Sequence, residues 1–523
     1  MCGIAAIHDF RPTPDRLRAA EQLGQQMLDS IEHRGPDGRG SRVVGATWLG
    51  HTRLSIVDLD GGSQPMTNAD GAARDLWVVA NGEIYNHDAL RDELAGPFET
   101  GSDSEVVLHV IAERGTDGVH DMRGMYAFCV AGPDDATTPM VLARDPLGVK
   151  PLYWARHDDR LLVASELCAF PSDVRPLVEE FPPGHHWTPE AGLQPYVDLR
   201  TDPLGTGSQD PVGPQFTQRA QAHIAIRETL IKATSERMMA DVPVGVFLSG
   251  GLDSSIIAAI MARESEPGAT VHSFAAGTAD SPDLVAARRV ADALGLEHHE
   301  RVYTDDEVID VLPEVVRATE SYEPSLIRSA VPNYLLAELA AQHVKVVLTG
   351  EGADELFAGY HHLRELDADA LRDALTAGLA ALHNLNLQRC DRVTMAHGLE
   401  ARVPFLAREL LAVAQRIPLE WKLLGDDGQE RAHEKAILRE AFEGWLPEEI
   451  LWRRKEQFGD GSGTADVMTR RAESFVPDAD WRAVRIPGLP SARSREELGY
   501  QRIFAEHLGG IRAEAVLGRF ATA

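Results

Sequence analysis

Cysteine is scarce in this 523-residue chain, which has only Cys2, Cys129, Cys168 and Cys390. No two of them form a CxxC pair, and so few thiols exclude a disulfide framework. Long apolar runs are also missing. The apolar stretch after Cys2 ends at His8 and has no basic leader, so we expect neither a signal peptide nor a membrane span. These absences favour a cytoplasmic protein.

Positive charge is in deficit, because 51 Lys and Arg face 81 Asp and Glu, a formal net charge of −30. Such a surface repels phosphate backbones and anionic lipids, so we expect neither nucleic acid nor membrane as a partner. An anionic substrate must therefore meet a local positive site or a metal ion. The apolar fraction of 44% is that of a folded globular protein and excludes general disorder.

The chain is longer than one hydrophobic core usually serves, so we expect two domains. Residues 1–200 show short strands between turn signals, with helices over 14–30 and 103–114, which predicts an α+β domain of antiparallel sheets. Residues 201–217 are rich in turn formers and predict a linker. In residues 218–523, strands alternate with helices before a mainly helical end, which predicts a doubly wound parallel sheet with additional helices.

Cys2 is a candidate nucleophile because of its position. Removal of Met1 would leave a thiol and a free α-amine on one residue, and an α-amine with a pKa of roughly 7.7–8.0 can act as the base for that thiol. The alternative is a small buried cysteine that only packs.

Four further motifs accompany Cys2 in the front half: "HRGPDG" (33–38), "GHTRLSI" (50–56), "NGEIYN" (81–86) and "TGSDSE" (100–105). Together they resemble the glutaminase domain of class II glutamine amidotransferases, which is an N-terminal-nucleophile sandwich. The resemblance extends to about residue 200.

The resemblance implies that Cys2 attacks the side-chain amide of glutamine to form a thioester. The Asn81 amide and the Gly82 N–H would form the oxyanion hole. Arg53 would bind the substrate carboxylate, and Asp103 and the region of Glu83 its ammonium; taken alone, Arg53 and Asp103 are equally typical of surface ion pairs. The rest of the glutamine site would be Leu54, Ser55 and Ile56. His33 and His51 are expected to be structural.

"SGGLDSS" (249–255) directly follows a predicted strand and leads into a helix. Its glycines, hydroxyls and helix N-terminus suit phosphate, but the Walker lysine is absent. Asp253 would repel a phosphate unless it held Mg²⁺. The stretch resembles the PP-loop of ATP pyrophosphatases, and its alternative interpretation is a polar helix cap.

"LTGEGADELFAGY" (348–360) and "RRKEQFGDG" (453–461) extend the resemblance to glutamine-hydrolysing asparagine synthetases over almost the whole chain. By resemblance, Asp253 and Asp354 hold Mg²⁺, and Glu351 serves intermediate formation or deprotonates ammonia. Lys455, in a stretch that otherwise suggests a solvated basic run, would stabilise the adenylation transition state. The implied ATP site comprises Phe247, Leu248, Ser249, Gly250, Gly251, Asp253, Ser254, Ser255, Ala276, Thr349 and Gly350.

The implied reaction amidates aspartate with ammonia from glutamine and splits ATP to AMP and pyrophosphate. Ser325 and Arg328 would contact the acceptor, but Leu326 stands where a hydroxyl is common. Another carboxylic acid of specialised metabolism therefore stays open as the acceptor. Ring closure of the β-lactam synthetase type, a non-catalytic sensor and a homodimeric assembly also stay open.

Overall fold

In a computed structural model the chain forms an antiparallel sandwich followed by a parallel sheet with helices. The structure describes residues 2–68, 75–133, 140–205, 212–423, 434–454, 462–464, 467–468, 470–471, 476–477 and 480–518. Among these residues, no helix has the length and apolar character needed to cross a bilayer.

The front half contains two six-stranded sheets, whose strand orders are β10-β8-β9-β1-β3-β2 and β12-β11-β7-β6-β5-β4. Neighbouring strands are antiparallel, as the short alternating strands predict. The strands are β1 (Gly3–Asp9), β2 (Gly38–Val44), β3 (Thr47–Arg53), β4 (Met66–Thr67), β5 (Trp77–Ile84), β6 (Gly124–Ala131), β7 (Met140–Arg144), β8 (Tyr153–His157), β9 (Arg160–Ala164), β10 (Glu179–Glu180), β11 (His185–Thr188) and β12 (Gly192–Pro195). The helices are α1 (Pro14–Ser30), α2 (His87–Glu93) and α3 (Glu105–Arg114).

Strand β1 is buried on both faces, which explains the continuous apolar run after Cys2. Ile4 and Ala6 pack into the core between the two sheets. Ala5 and Ile7 lie in the cluster on the other face, which includes residues of α1. Because successive side chains alternate between faces, a strand covered on both sides is apolar throughout.

The rear half is built on a five-stranded parallel sheet of order β15-β14-β13-β16-β17. Its strands are β13 (Val244–Phe247), β14 (His272–Gly277), β15 (Glu297–Val302), β16 (Val346–Leu348) and β17 (Glu400–Arg402). The helices are α4 (Arg219–Glu236), α5 (Leu252–Glu264), α6 (Pro282–Leu294), α7 (Asp305–Asp310), α8 (Leu312–Thr319), α9 (Pro324–Ala340), α10 (Ala353–Phe357), α11 (Ala368–Ala381), α12 (Asn386–Met395), α13 (Arg408–Gln415), α14 (Leu419–Leu423), α15 (Ala436–Ala441), α16 (Glu448–Leu451), α17 (Arg495–Leu508) and α18 (Ala513–Val516).

This strand order reverses between β13 and β16, the first and fourth strands of the sheet. Ligands of open parallel sheets bind beyond the carboxyl ends of the strands at such a switch point. The loops after β13 and β16 are the two acidic, glycine-containing motifs. The fold therefore brings both motifs to the one edge where a ligand is expected.

The sandwich and the parallel sheet meet across a buried network of charged side chains. Arg34 lies 2.6 Å from Glu166 and 2.9 Å from Asp391. Arg392 lies 2.7 Å from Glu166 and 3.1 Å from Glu320. Burial alone would raise the pKa of Glu166, but His33, Arg392 and Arg34 together hold it well below its usual range. Glu166 therefore stays charged, whereas burial raises the pKa of Glu320.

Replacement of Arg392 by methionine should destabilise the protein, because Glu166 and Glu320 would each lose a buried cationic partner. Removing one member of a buried pair costs about 3–5 kcal/mol, and we expect a loss of that size in the free energy of unfolding. The urea midpoint measures it. The control is Arg372→Met, which removes an exposed pair with Asp369 and should change little. Equal effects of the two substitutions would contradict the prediction.

Candidate active sites

Cys2 lies at the edge of β1, held by contacts to two neighbouring strands. Its N–H donates to Asn81 Oδ1 at 3.2 Å, and its Sγ lies 3.9 Å from the carbonyl oxygen of Leu54. The next N–H, of Gly3, donates to Thr52 Oγ1 at 3.1 Å. Burial raises the pKa of the Cys2 thiol. The thiol therefore needs a base before it can attack.

Asn81 and Gly82 lie in β5 beside this thiol. The Asn81 side chain is fully buried, and its Nδ2 has no hydrogen-bond partner within the described part of the chain. Gly82 has φ +133°, and a Cβ there would lie 1.9 Å from the carbonyl oxygen of Met125. Only glycine fits this position, and the amide of Asn81 is a donor without an acceptor, as an oxyanion hole requires.

The side chains expected to bind glutamine are each held in place by the fold. Arg53 donates to the carbonyl oxygens of Asp58 and Leu59 at 2.6 and 3.0 Å. Asp103 is buried and accepts from the Ile84 N–H at 2.7 Å, and burial raises its pKa.

The segment from Leu54 to Ile56 is also fixed on both sides. The Ser55 N–H donates to Asp37 at 2.7 Å, and the Ile56 carbonyl accepts from the Asp241 N–H at 2.9 Å. Asp241 belongs to the rear half of the chain, so this segment, which is expected to line a glutamine site, is hydrogen-bonded to the parallel-sheet half.

Glu83 points toward the rear half of the protein. Its Oε1 lies 3.2 Å from Arg402, which also contacts Glu400 at 2.6 Å. Burial and the nearby Glu400 raise the pKa of Glu83 well above its usual range. The side chain of Glu83 therefore belongs to the interface between the halves, where Arg402 is its partner.

The two histidines of the front motifs lie elsewhere in the sandwich. Burial lowers the pKa of His51 to about 3, so its ring is neutral. His33 lies 3.0 Å from Glu166 in the interface network. Neither has a described contact with the Cys2 thiol.

The predicted phosphate loop, residues 249–255, turns sharply between β13 and α5. Gly250 has φ +70°, and a Cβ there would lie 2.5 Å from Ala286. Ser249 Oγ and Ser254 Oγ are 3.2 Å apart, and the Gly251 N–H donates to Ser249 Oγ at 3.3 Å. Backbone and hydroxyl donors thus gather at the first turn of a 13-residue helix, the geometry that favours an anion.

The second loop, after β16, packs directly on the first. A Cβ on Gly350 would lie 2.8 Å from the Cβ of Asp253 and 3.0 Å from the Ser254 N. The Thr349 N–H donates to the Arg402 carbonyl at 2.9 Å, and the Leu248 N–H to the Phe274 carbonyl at 2.8 Å. Of the remaining predicted ATP-site positions, Phe247 ends β13 and Ala276 lies near the end of β14, whereas Ser255 lies in the first turn of α5 and is fully buried.

Lys435 lies between the two predicted metal ligands, Asp253 and Asp354. It belongs to none of the motifs identified in the sequence. Its Nζ is 2.5 Å from Asp253 and 2.6 Å from Asp354, and its side chain is 2% exposed. The two carboxylates raise its pKa despite burial. A buried ammonium thus occupies the point on which both acids converge.

The other two acids of the second loop have separate partners. Glu351 contacts Arg389 of α12. Glu355 accepts from the Tyr360 hydroxyl at 2.5 Å. Burial and the nearby Asp354 raise the pKa of Glu355 to about 7. Glu351 is 20% exposed and Glu355 is buried, so Glu351 is the acid that a ligand can reach.

The predicted acceptor residues begin α9. Arg328 Nη2 lies 2.6 Å from Glu496 of α17, a pair that no sequence motif indicates. Ser325 Oγ lies 3.3 Å from Glu323. Leu326 is 1% exposed and packs in the core, so this position does not face a ligand.

Lys455 lies outside the described residues. Arg453, two residues earlier, donates to the Ser249 carbonyl at 3.4 Å and to Asp283 at 2.8 Å. The start of the "RRKEQFGDG" motif therefore lies against the phosphate loop.

Helix α12 connects the two regions. Arg389 contacts Glu351, and Asp391 pairs with Arg34, whose Nε donates to the Cys2 carbonyl oxygen at 3.1 Å. One path of contacts thus runs from the Cys2 backbone to the acidic loop.

Comparisons with known proteins cover both halves of the chain. Residues 225–371 and 365–510 match the family described as asparagine synthase, and residues 1–180 match the glutamine amidotransferase domain. The chain is 37% identical to the probable glutamine-hydrolyzing asparagine synthetase of Dictyostelium discoideum, covering 96% of this chain and 93% of that protein. It is 37% identical to asparagine synthetase B of Escherichia coli, over 97% and 91% of the two chains.

A third relative, glutamine-hydrolyzing asparagine synthetase 1 of Saccharomyces cerevisiae, is 36% identical, over 91% of this chain and 88% of its own. A solved glutamine phosphoribosylpyrophosphate amidotransferase from B. subtilis aligns with 57% of this chain and 65% of its own, at 20% identity and a TM-score of 0.31. That structural similarity is too low to support a conclusion about either site.

Replacement of Gly350 by alanine should weaken ATP binding, because the added methyl group pushes the second loop away from Asp253. Misplacement by about 1 Å costs up to about 100-fold in a positioned site, and we expect a loss of at least about tenfold in ATP affinity by calorimetry. Gly378→Ala in α11 is the matched control, since a Cβ there meets only Glu355 Cγ at 3.6 Å. Unchanged ATP affinity in Gly350→Ala would refute the predicted role of this close approach.

Proposed function

This chain belongs to the family of glutamine-hydrolysing asparagine synthetases, and we propose that it makes asparagine from aspartate, glutamine and ATP. The products would be asparagine, glutamate, AMP and pyrophosphate. The relatives above carry this activity in their names and match nearly the full chain.

One observation carries the proposal: a thiol beside an orphan amide donor and a pair of acids converging on one cation occur in the same chain. Neither arrangement alone implies asparagine synthesis. Cys2 and Asn81 suit an acyl transfer from an amide. Asp253 and Asp354 beside the phosphate loop suit an attack on a nucleotide phosphate.

In the proposed glutaminase reaction, the Cys2 sulfur attacks the side-chain carbonyl carbon of glutamine. Its proton passes to the α-amine freed by removal of Met1, and from there to the departing ammonia. The negative oxygen of the tetrahedral intermediate is held by Asn81 Nδ2 and the Gly82 N–H. Arg53 and Asp103 bind the carboxylate and ammonium of glutamine, in a site completed by the segment from Leu54 to Ile56 and the backbone of Glu83. Water then hydrolyses the thioester to glutamate.

In the proposed synthetase reaction, the aspartate side-chain carboxylate attacks the α-phosphorus of ATP, and pyrophosphate leaves. The mixed anhydride makes AMP the leaving group when ammonia attacks the acyl carbon. Ser249, Ser254 and Ser255 donate to phosphate, while Lys455 and Lys435 stabilise the charge that develops there. Glu351 takes the proton from the attacking ammonia, since of the two second-loop acids not assigned to Mg²⁺ it is partly exposed and Glu355 is buried.

Mg²⁺ is part of the proposal because the donor set fits it. Asp253 and Asp354 offer carboxylate oxygens, the ligands that Mg²⁺ prefers, and they already converge on one cationic group, the Lys435 ammonium. Mg²⁺ held by these two carboxylates, beside the Lys435 ammonium that already lies between them, would supply positive charge to the phosphate oxygens of ATP.

For the acceptor we propose aspartate, bound by Arg328 and Ser325. The ion pair between Arg328 and Glu496 supports a zwitterionic acceptor, because the two charges can bind the α-carboxylate and the α-ammonium of an amino acid. An acceptor without an ammonium group would leave Glu496 without that partner.

We also propose a division into residues 1–200, a linker over 201–217 and a second domain over 218–523. It is supported by the end of β12 at Pro195 and the start of α4 at Arg219. Four cysteines without disulfides support a cytoplasmic protein. A homodimer is a further expectation that size-exclusion chromatography can check.

The test of the function is incubation with ATP, Mg²⁺, glutamine and a panel of carboxylic acids, followed by mass analysis of AMP and amide products. Cys2→Ala should abolish synthesis with glutamine but retain synthesis with ammonium, because the second site is unaltered. Cys129→Ala, at a buried cysteine of β6, is the control and should use both nitrogen sources. Amidation of another acid without asparagine formation would show that aspartate is not the acceptor. Glutamine-dependent synthesis by Cys2→Ala at the wild-type rate would show that Cys2 is not the nucleophile.

Replacement of Lys435 by methionine should lower AMP release by about 100-fold, the effect of removing one preorganised charge from a transition state. Glutaminase activity of the same protein, measured as glutamate release, reports whether the fold is intact. Lys232→Met is the matched control, since Lys232 is 74% exposed and pairs only with Glu236 on its own helix. AMP release equal to that of the control would exclude Lys435 from the site.

A further inference from the structure

Three metal-ligating side chains meet at the amino-terminal edge of the parallel sheet. His272 begins β14 and Glu297 begins β15, and the two are register partners. His299 lies two residues farther along β15, so it is on the same face as Glu297. Strand β14 extends about 16 Å from His272 to the edge where the phosphate loop lies. The proposed catalytic machinery does not use any of these three residues.

The ligand atoms of the three side chains form a nearly equilateral triangle. His272 Nδ1 and His299 Nε2 are 3.2 Å apart. Glu297 Oε1 lies 3.7 Å from His272 Nδ1 and 3.5 Å from His299 Nε2. The point equidistant from the three atoms is about 2.0 Å from each, which is the range of Zn–N and Zn–O bonds.

Aromatic packing holds the two imidazoles in this arrangement. Phe274 is fully buried, and its ring centroid lies 5.1 Å from that of His299 and 6.4 Å from that of His272. The His343 ring lies 4.0 Å from that of His299 and 5.8 Å from that of Phe274. The ligand positions are therefore supported by neighbouring side chains, and such outer contacts orient the ligands of a metal site.

A second group of potential ligands, Glu166, Cys168 and Glu320, provides a contrast. There, Arg34 and Arg392 lie within 2.6 to 3.1 Å of the two carboxylates, so cationic side chains already neutralise them. No arginine or lysine has a described contact with His272, Glu297 or His299. Of the two groups, only this one leaves room for a metal ion.

We propose that His272, Glu297 and His299 bind one Zn²⁺ ion per chain. Imidazole and carboxylate are ligands that zinc accepts in tetrahedral geometry, and three protein ligands leave the fourth position to water. Glu297 is 54% exposed, so the ion reaches the site from solvent. The ion would link β14 to β15, the edge strand of the sheet, and so stabilise that edge.

The experiment uses the untagged full-length protein after treatment with a chelator and dialysis. Zn²⁺ is added in competition with a chromogenic chelator, and bound metal is counted by mass spectrometry. We expect one Zn²⁺ per chain, with affinity at least about tenfold lower in His299→Gln and Glu297→Gln, since even loss of an outer-shell partner costs about 10–100-fold. His298→Gln is the matched control, because His298 is on the opposite face and contacts Ser273 at 2.9 Å.

Two results would overturn the proposal: wild-type affinity no higher than that of His299→Gln, or an equal loss in His298→Gln. Glu297 is exposed, so Glu297→Gln should fold normally, and its glutaminase activity checks this. Replacement of Zn²⁺ by Co²⁺ adds a direct readout of geometry. Intense visible absorption bands of tetrahedral Co²⁺ that disappear in Glu297→Gln support the site, and their absence from the wild type counts against it.

Discussion

The arrangement of both sites depends on the buried ion pairs between the sandwich and the parallel sheet. Burial of charge is costly unless each group is paired. The sandwich and the parallel sheet can therefore adopt only a relative position that pairs all of these charges: Arg34, Glu166, Asp391 and Arg392. Arg34 also holds the carbonyl of Cys2. The same interactions therefore fix the positions of Cys2 and of helix α12, whose Arg389 contacts Glu351. Electrostatic pairing thus fixes where Cys2 lies relative to Glu351.

A second constraint is the close approach of backbone segments at both sites. Gly82 and Gly350 each lie where a Cβ would collide with a neighbouring strand or loop. At Gly82 this allows β5 to pair closely with β6 behind the thiol. At Gly350 it allows the second acidic loop to contact the first, so that Asp253 and Asp354 can share one cation. Glycine serves here by its small size as much as by its backbone freedom.

Much of the fold and of the site could be predicted from the sequence, because the informative patterns are local. Short alternating strands indicated the sandwich, strand–helix alternation indicated the parallel sheet, and the helix predicted over 103–114 is present from Glu105. The residues that sequence reasoning missed are Lys435, Glu496 and Arg34. Each has its partner far along the chain; Lys435, for example, is 182 residues from Asp253. Lys435 and Glu496 lie in none of the motifs, and Arg34 belongs to "HRGPDG" but nothing in that motif indicates its distant partners.

The sequence by itself determined the kinds of chemistry that the chain can carry. Three features are properties of contiguous residues. They are a cysteine at the second position, a predicted phosphate loop that contains an acid and lacks the Walker lysine, and the acidic second loop after β16. Only the tertiary structure decided which charges meet: Lys435 between two acids, Glu83 with Arg402, Arg328 with Glu496, and two histidines with Glu297 at the far edge of the sheet. The physical reason is that ion pairs and metal coordination act over a few ångströms in space, whatever the distance along the chain.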